Sequence, residues 1–405
     1  MSRPNMISAA RTVPAPLAPP RSISIFGATG SVGTSTLDLV RLNPSAYRVV
    51  ALTAHSDAAG LAKLAREFSA EIAAIGDASR HDSLADALQG TKTKVWSGPQ
   101  ALLDAADIDA DWTMAAIVGC AGLAPILRTL LRGRSVALAN KEALVSAGAL
   151  MIEAARSSGA TLLPVDSEHN AIFQCLAGGN IDEVETITLT ASGGPFRTWT
   201  LDQMRVARPD QAVAHPNWSM GAKISVDSAT MFNKGLELIE AHHLFPVGLD
   251  AIRILVHPQS VIHSMVEYRD RSTLAQLGSP DMKIPIASAL AWPQRIATQC
   301  TPLDLATIGQ LTFEPLDNDR FPGPGICRAA IAAGGGAPAI LNAANEIAVA
   351  AFLDGRIGFL DIAAIVSEVL AGYIPAAPQS LQDVLAIDSE ARAMAIAAIS
   401  TKDGH

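Results

Sequence analysis

The sequence predicts an α/β protein with an N-terminal Rossmann-type parallel sheet, a central α+β domain carrying its own β-sheet, and a C-terminal helical bundle. Three observations predict it: strand, glycine turn and helix alternate from residue 22; strand-like segments crowd the middle of the chain; helical periods dominate the end.

In the first region SISIF is a strand, GATGSVG a turn and TSTLDLVRLNP a helix, followed by the strand YRVVALTA over 47–54. The helix-like AAGLAKLAREF leads to a short apolar strand, EIAAIG, and the pattern continues through TMAAIVG, SVALAN and TLLPVD, the last over 161–166. Such alternation is the mark of a doubly wound parallel sheet, here spanning 22–166. From 167 to 301 the segments ETITLTAS, AKISVDS, IRILVHPQSVIHSMVEY and STLAQLG read as strands around a helical GLELIEAHHLF, which suggests a mostly antiparallel face open to a partner subunit. The Pro, Asp and Gly load of PLDLATIGQLTFEPLDNDRFPGPG places a linker at 302–328. Beyond it, over 329–405, the periods are helical, with Ile340, Leu341, Ala344, Ile347, Ala348 and Ala351 on one face. Residues 1–21, rich in Pro and Ala, read as a disordered tail without the apolar core of a secretory signal.

A chain of 405 residues is long enough for two or three domains. The net charge of −9 argues against nucleic-acid or anionic-membrane binding, so any phosphate site must rely on local Lys, Ser, Asn and backbone N–H groups. The longest apolar run, TMAAIVGCAGLAPIL, is too short for a bilayer span. Cys120, Cys175, Cys300 and Cys327 form no CxxC pair, which suits a reducing cytoplasm and suggests neither a thiolate zinc site nor a disulfide framework.

Gly27, Gly30 and Gly33 stand between a strand and a helix, the context of a dinucleotide fingerprint, although their GxxGxxG spacing is the weaker form. The second strand ends ALTAHSD, with no acid at its tip to bind ribose hydroxyls, which is compatible with NADP. In PVDSEHN, at 164–170, Asp166 and Glu168 have two readings. They suit a helix N-terminus, as cap and first-turn acid; if the chain is still extended there, they face one side and can hold Mg²⁺ or Mn²⁺. A third ligand could be Glu237, which shares a helix face with Asn233 while Lys234 stands three residues away; alternatively NKGLE is a solvated face with a Lys–Glu pair. Ser192, His215, Ser228, Asn233 and Lys234 add the donors a phosphate monoester needs. Asn140, Lys141 and Glu142 follow the strand SVAL at the sheet edge where ligands bind in open α/β folds.

These stretches resemble the 1-deoxy-D-xylulose 5-phosphate reductoisomerases of the non-mevalonate isoprenoid pathway. GATGSVG, AAIVGCAGL, LANKEALVSAG, LLPVDSEHNAIFQ, TASGGPFR, HPNWSMGAKISVDSATMFNKGLELIEA, HPQSVIHSMVEY and LNAANEIAVAAFL look like that family's stretches, in order, from about residue 22 to the C-terminus. The resemblance implies a metal- and NADPH-dependent conversion of 1-deoxy-D-xylulose 5-phosphate to 2-C-methyl-D-erythritol 4-phosphate, a skeletal rearrangement followed by reduction, in a homodimer formed through the central sheet. It implies Asp166, Glu168 and Glu237 as ligands of Mg²⁺ or Mn²⁺. Ser192, Ser228, Asn233 and Lys234 match its substrate-phosphate contacts; Lys141, Ser167 and His215 match residues near the reacting carbons, with Glu168 and Glu237 also reaching substrate. Thr29, Gly30, Ser31, Val32, Asn140, Glu142 and Gly221 match the dinucleotide site, and Trp218 the lid. Lys141, Glu168 and His215 are the candidate catalytic residues. The chain departs from the family at His55, Ser56 and Asp57, where a basic residue is usual, and no residue is carried over there. His257 and His263 read as structural sheet residues. Two other readings fit the Rossmann start: a metal-free dehydrogenase of the homoserine or semialdehyde type, and a dinucleotide sensor with no turnover.

Overall fold

The computed structural model describes residues 20–402 except 178, 217, 219 and 374; the expected tail therefore lies, up to residue 19, outside the described residues. Seven parallel strands form the first sheet: Arg21–Phe26 (β1), Tyr47–Ala54 (β2), Ile72–Ile75 (β3), Lys94–Ser97 (β4), Trp112–Ala115 (β5), Ser135–Leu138 (β6) and Leu162–Pro164 (β7). Their order is β4-β3-β2-β1-β5-β6-β7, so the connections reverse direction beside β1, the place where such sheets bind ligands. The helices Ser31–Leu42 (α1), Ala58–Glu67 (α2), His81–Ala87 (α3), Pro99–Ala106 (α4), Leu123–Leu131 (α5) and Lys141–Ser158 (α6) connect them. The apolar runs of β1, β2, β3 and β5 are buried because helices cover both faces. β4 is half exposed and did not stand out as a strand in the sequence.

Helix Ser167–Cys175 (α7) leads into a second sheet of Val184–Ala191 (β8), Ile252–Val256 (β9), Ile262–Tyr268 (β10), Thr273–Leu277 (β11) and Glu314–Pro315 (β12), ordered β11-β10-β8-β9-β12. It is antiparallel except for the β8–β9 pair. Between β8 and β9 lie the helices Leu201–Arg205 (α8), Pro209–Ala212 (α9), Ala222–Ala229 (α10) and Phe232–Leu244 (α11). The segment AKISVDS, expected as a strand, is α10: its buried residues Ser225, Val226 and Ala229 recur at helical spacing, and two alternating apolar residues could not separate the two periods.

The expected boundaries need two corrections, both from packing. Lys283–Ala291 (α12) falls inside 167–301, yet Ile286 and Leu290 are buried in the core of the first sheet, and the Trp112 indole donates to Ala289 O at 3.1 Å. The expected linker 302–328 carries the short helix Leu305–Ile308 (α13), strand β12 and the start of Gly323–Ala333 (α14). Its Pro and Gly residues mark caps and an edge strand, positions such residues occupy in ordered structure as readily as in a linker. The final helices, Ala337–Leu353 (α15), Asp361–Gly372 (α16) and Leu381–Lys402 (α17), share one core with α10 and α11: Val226, Phe232, Leu236 and Ile239 pack in one cluster with Ile340, Phe352, Ile365 and Ile399.

That shared core makes the C-terminal helices part of one cooperative unit. Phe352→Ala, at a position only 1% exposed, should lower the unfolding free energy by about 3–5 kcal/mol and shift a single calorimetric transition. A separate low-temperature transition confined to the C-terminal helices would contradict the shared core.

Candidate active site

Cavity walls come from the ends of elements in both sheets and their helices. A cavity of about 400 Å³ is lined by Ser31 and Val32 from the glycine turn, by Lys141, by Asp166, Ser167 and Glu168, and by Ser192. His215, Trp218, Gly221, Ser228, Asn233, Lys234 and Glu237 are also among its walls.

The glycine turn is built for an anion. Gly27 takes φ +85°, a conformation other residues resist, and turns the chain from β1 into α1. Gly30 caps α1 without a side-chain hydrogen bond, so the first-turn N–H groups of that helix are offered to a ligand. Ser31 and Val32 reach the cavity; Thr29, Gly30, Asn140 and Glu142 are not among its lining residues. Asn140 is committed elsewhere. Its Oδ1 caps α6 by accepting from Ala143 N at 2.9 Å, and its amide donates to Ile117 O and Gly119 O at 2.5 and 2.8 Å, fixing the loop after β5. Glu142 is paired with Lys223 at 2.9 Å.

The acidic trio converges. Ligand oxygens of Asp166, Glu168 and Glu237 lie within 4.8 Å of one another. The extended-strand argument for the first two fails, since β7 stops at Pro164 and α7 begins at Ser167. They meet instead because Asp166 caps α7, accepting from Ser167 N at 3.1 Å, while Glu168 sits in the first turn and accepts from the Ser167 hydroxyl at 2.6 Å. The helix-cap reading of PVDSEHN therefore describes both residues, and the cap geometry is what brings their carboxylates together.

Two buried ammonium groups face the trio. Lys141 Nζ lies 2.5 Å from Asp166 Oδ2, 3.3 Å from Glu237 Oε1 and 2.8 Å from Asn233 Oδ1. Lys234 pairs with Glu168 at 2.7 Å and with Glu237. Burial alone would lower the lysines, but the carboxylates hold both above their ordinary range. Burial and the negative Glu168 push Glu237 up to about 7. Glu168, despite burial, is drawn down to about 2, chiefly by Lys234. Asp166 Oδ2, shielded from solvent and paired with the Lys141 ammonium, is a hard carboxylate oxygen of the kind a divalent cation takes.

Beneath the trio His169 and Glu240 are fully buried. His169 Nε2–H donates to Glu237 O at 2.8 Å, which leaves Nδ1 facing Glu240 Oε2 at 3.2 Å. Burial holds His169 down at about 4, so it is neutral, and burial with Asp166 holds Glu240 well above the carboxylate range.

The third group of residues, Ser192, His215 and Ser228, lines the same cavity. His215 Nδ1 accepts from Trp218 N at 3.0 Å, so Nε2 carries the proton and donates to Ser192 Oγ at 2.9 Å. Gly194 N also donates to Ser192 Oγ, at 3.1 Å, which leaves the serine O–H to donate. Gly194 has φ +67°, and a Cβ there would stand 2.5 Å from Ser228 O, so the SGG turn rests directly on the end of α10 and brings Ser192 beside Ser228.

Comparison with known proteins decides the family. Family models for 1-deoxy-D-xylulose 5-phosphate reductoisomerase and its C-terminal domains match residues 23–148, 162–245 and 277–394. The reductoisomerase of Zymomonas mobilis subsp. mobilis is 58% identical over 378 residues, covering 93% of this chain and 97% of its own. That of Rhodospirillum centenum is 54% identical over 375 residues, 93% of each chain. The chain belongs to the 1-deoxy-D-xylulose 5-phosphate reductoisomerase family. Its activity is the metal- and NADPH-dependent conversion of 1-deoxy-D-xylulose 5-phosphate to 2-C-methyl-D-erythritol 4-phosphate. Among solved structures, the Zymomonas mobilis enzyme in complex with NADPH superposes with a TM-score of 0.90 at 56% identity, covering 94% of this chain and 99% of that one. A reductoisomerase in complex with NADPH, fosmidomycin and magnesium gives 0.88 at 44% identity, covering 94% and 98%.

Sequence reasoning missed several wall residues of this reductoisomerase. His263 is, as expected, a sheet residue, in β10, and from there it also lines the cavity, its ring 6.2 Å from Trp218. His257 is structural: its Nδ1–H donates to Thr312 O at 2.9 Å. Met220, Met231 and Met282 also line the cavity, and only their neighbourhood to polar motifs could have flagged them.

Any cation taken by the trio must displace the proton that Glu237 holds up to about pH 7. Mn²⁺ affinity measured by calorimetry should therefore weaken roughly tenfold per pH unit below about 7, with one proton released per ion bound. An affinity that stays flat down to about pH 5.5 would separate Glu237 from the cation.

Proposed function

We propose that Asp166, Glu168 and Glu237 hold the divalent cation, Mg²⁺ or Mn²⁺, and that Ser192, Ser228, Asn233 and Lys234 hold the substrate phosphate. The convergence of three carboxylates and two lysines in one cavity, a short reach from the glycine turn, supports this reading above any other observation. The bound cation supplies Lewis acidity to the substrate's oxygens, and NADPH, held by the turn through Thr29 to Val32 and by the Asn140, Glu142 and Gly221 region, supplies hydride.

The chain's own groups divide the remaining work. Lys141 and Lys234 share the oxygens that a cation needs, so both are released toward substrate when those oxygens are taken. Lys141, beside the trio, is placed to steady negative charge or move a proton at the reacting carbons, with Glu168 the alternative proton carrier. Ser167, between two ligands, and His215, whose imidazole is kept neutral by burial, complete the substrate wall. Phosphate contacts remote from the reacting bond retain fragments during the rearrangement. Trp218, adjoining the cavity in the segment before α10, acts as a lid over them.

The homodimer is part of the same proposal. β11 pairs with β10 along one side only and presents exposed Thr273, Leu274 and Ala275, an unblunted edge for a second copy. No described helix is long and apolar enough to cross a membrane, and four free cysteines suit a reducing cytoplasm.

The decisive measurement is NADPH consumption with 1-deoxy-D-xylulose 5-phosphate, abolished by EDTA and restored by Mg²⁺ or Mn²⁺; turnover that survives chelation would favour the metal-free dehydrogenase reading. Glu237→Gln should cut turnover more than about 100-fold, beyond what outer partners of metal ligands are worth, with NADPH affinity intact. Lys234→Ala should raise KM for the phosphorylated substrate roughly 10- to 100-fold, the weight of a lost charge-assisted hydrogen bond, and leave the NADPH dissociation constant alone. An unchanged KM would remove Lys234 from the phosphate subsite.

A further inference from the structure

Helix α10 touches both halves of the cavity. Its N-cap, Gly221, and the residues Ile224 and Ser228 fall on one face and line the cavity, so the helix runs from the dinucleotide end to the phosphate end. The opposite face is pinned by charge. Lys223 Nζ lies 2.9 Å from Glu142 Oε1 and 2.8 Å from Asp227 Oδ2, and Asp227 Oδ1 accepts from Asn345 at 2.8 Å. Asp227 and Asn345 are buried, and Glu142 is only 14% exposed, so these pairs are poorly screened.

We propose that Lys223 is a positioning residue that couples the dinucleotide and phosphate subsites through α10, tying Glu142 at one end to the helix that carries Ser228 at the other. The coupling rests on the site assignment proposed above. Glu142 directly follows Lys141 in the first turn of α6, so a ligand that draws on the Glu142 carboxylate also pulls on Lys223. Lys223 in turn pulls on α10 through its own Asp227 pair. The end of α10 carries Ser228, whose backbone oxygen supports the turn that positions Ser192. A second route starts at the same carboxylate: α6 also bears Lys141, which touches Asp166 and Glu237. Severing Lys223 breaks the first route and spares the second.

The two ligands are NADPH and the product 2-C-methyl-D-erythritol 4-phosphate, both reduced, which form a ternary complex without turnover. The NADPH dissociation constant is measured by cofactor fluorescence in the presence of Mg²⁺, with and without saturating product. In the unaltered protein the product should tighten NADPH by a factor within the roughly 5- to 150-fold span of typical coupled sites. In Lys223→Met that factor should fall by about half or more, toward what the Lys141 route alone carries, while each ligand alone binds within about threefold of its original affinity, and Lys223→Arg should restore it. Asp227→Asn keeps the Lys223–Glu142 pair but loosens its anchor, so it should lose part of the factor; it also serves if Lys223→Met fails to fold. Undiminished coupling in Lys223→Met or in Asp227→Asn, or independent binding in the unaltered protein, overturns the proposal. A Ser228→Ala variant with unchanged product affinity would instead strike the phosphate-site assignment, leaving the two failures distinguishable.

Discussion

Three carboxylates and two ammonium groups share one buried locus, and the arrangement of the cavity follows from keeping those charges out of water together. With the trio ionised, Asp166, Glu168 and Glu237 exceed Lys141 and Lys234 by one negative charge. Burying such a set is costly unless every member is paired, and removing one partner from a buried pair typically costs about 3–5 kcal/mol. A divalent cation reverses the sign of the locus, which then attracts a phosphate dianion despite the protein's net charge of −9. Burial first, and then the same excess, explain why Glu237 is pushed up to about 7: its side chain is fully buried and faces Glu168 across one lysine.

Holding five charged groups within a few ångströms requires rigid supports, and each comes from the end of a regular element. Asp166 and Glu168 hang from the cap and first turn of α7, Lys141 from the first turn of α6, and Asn233, Lys234 and Glu237 from the first two turns of α11. Below them the neutral His169–Glu240 contact and the His169 bond to Glu237 O fix the floor. A neutral pair there adds no further charge to an already crowded locus. Helix α14 packs on α11, and Phe232, Leu236 and Ile239 share one core with the C-terminal helices, so parts of the chain far from the cavity still bear on how precisely it is held.

Much of this was legible in the sequence where local chemistry is distinctive. β1 and β2 were readable because a parallel sheet covered on both faces demands unbroken apolar runs, and YRVVALTA coincides with β2. Asp166, Glu168, Ser192, His215, Ser228, Asn233, Lys234 and Glu237, scattered over residues 166–237, line one cavity, whereas Thr29, Gly30, Asn140 and Glu142 stand outside its walls. What was illegible depended on distant partners. Nothing in AKISVDS distinguishes a strand from α10 until Asp227 is seen beside Lys223 and Asn345. The apolar face of α12 looks like any other until Trp112, 177 residues away, donates to Ala289. His263 carries no local sign of the cavity it lines.

The tip of β2 shows how one small residue choice bears on the cofactor. Rossmann domains that bind NAD place a carboxylate there to accept from the ribose hydroxyls, and a carboxylate so placed repels a 2′-phosphate. Here the tip carries His55 and Ser56, and the nearest acid, Asp57, is committed to the N-cap of α2, accepting from Gly60 N at 2.9 Å. Its oxygens are thereby turned toward the helix they cap. The family's usual basic residue is absent from this turn, but so is the repulsion that would exclude NADPH.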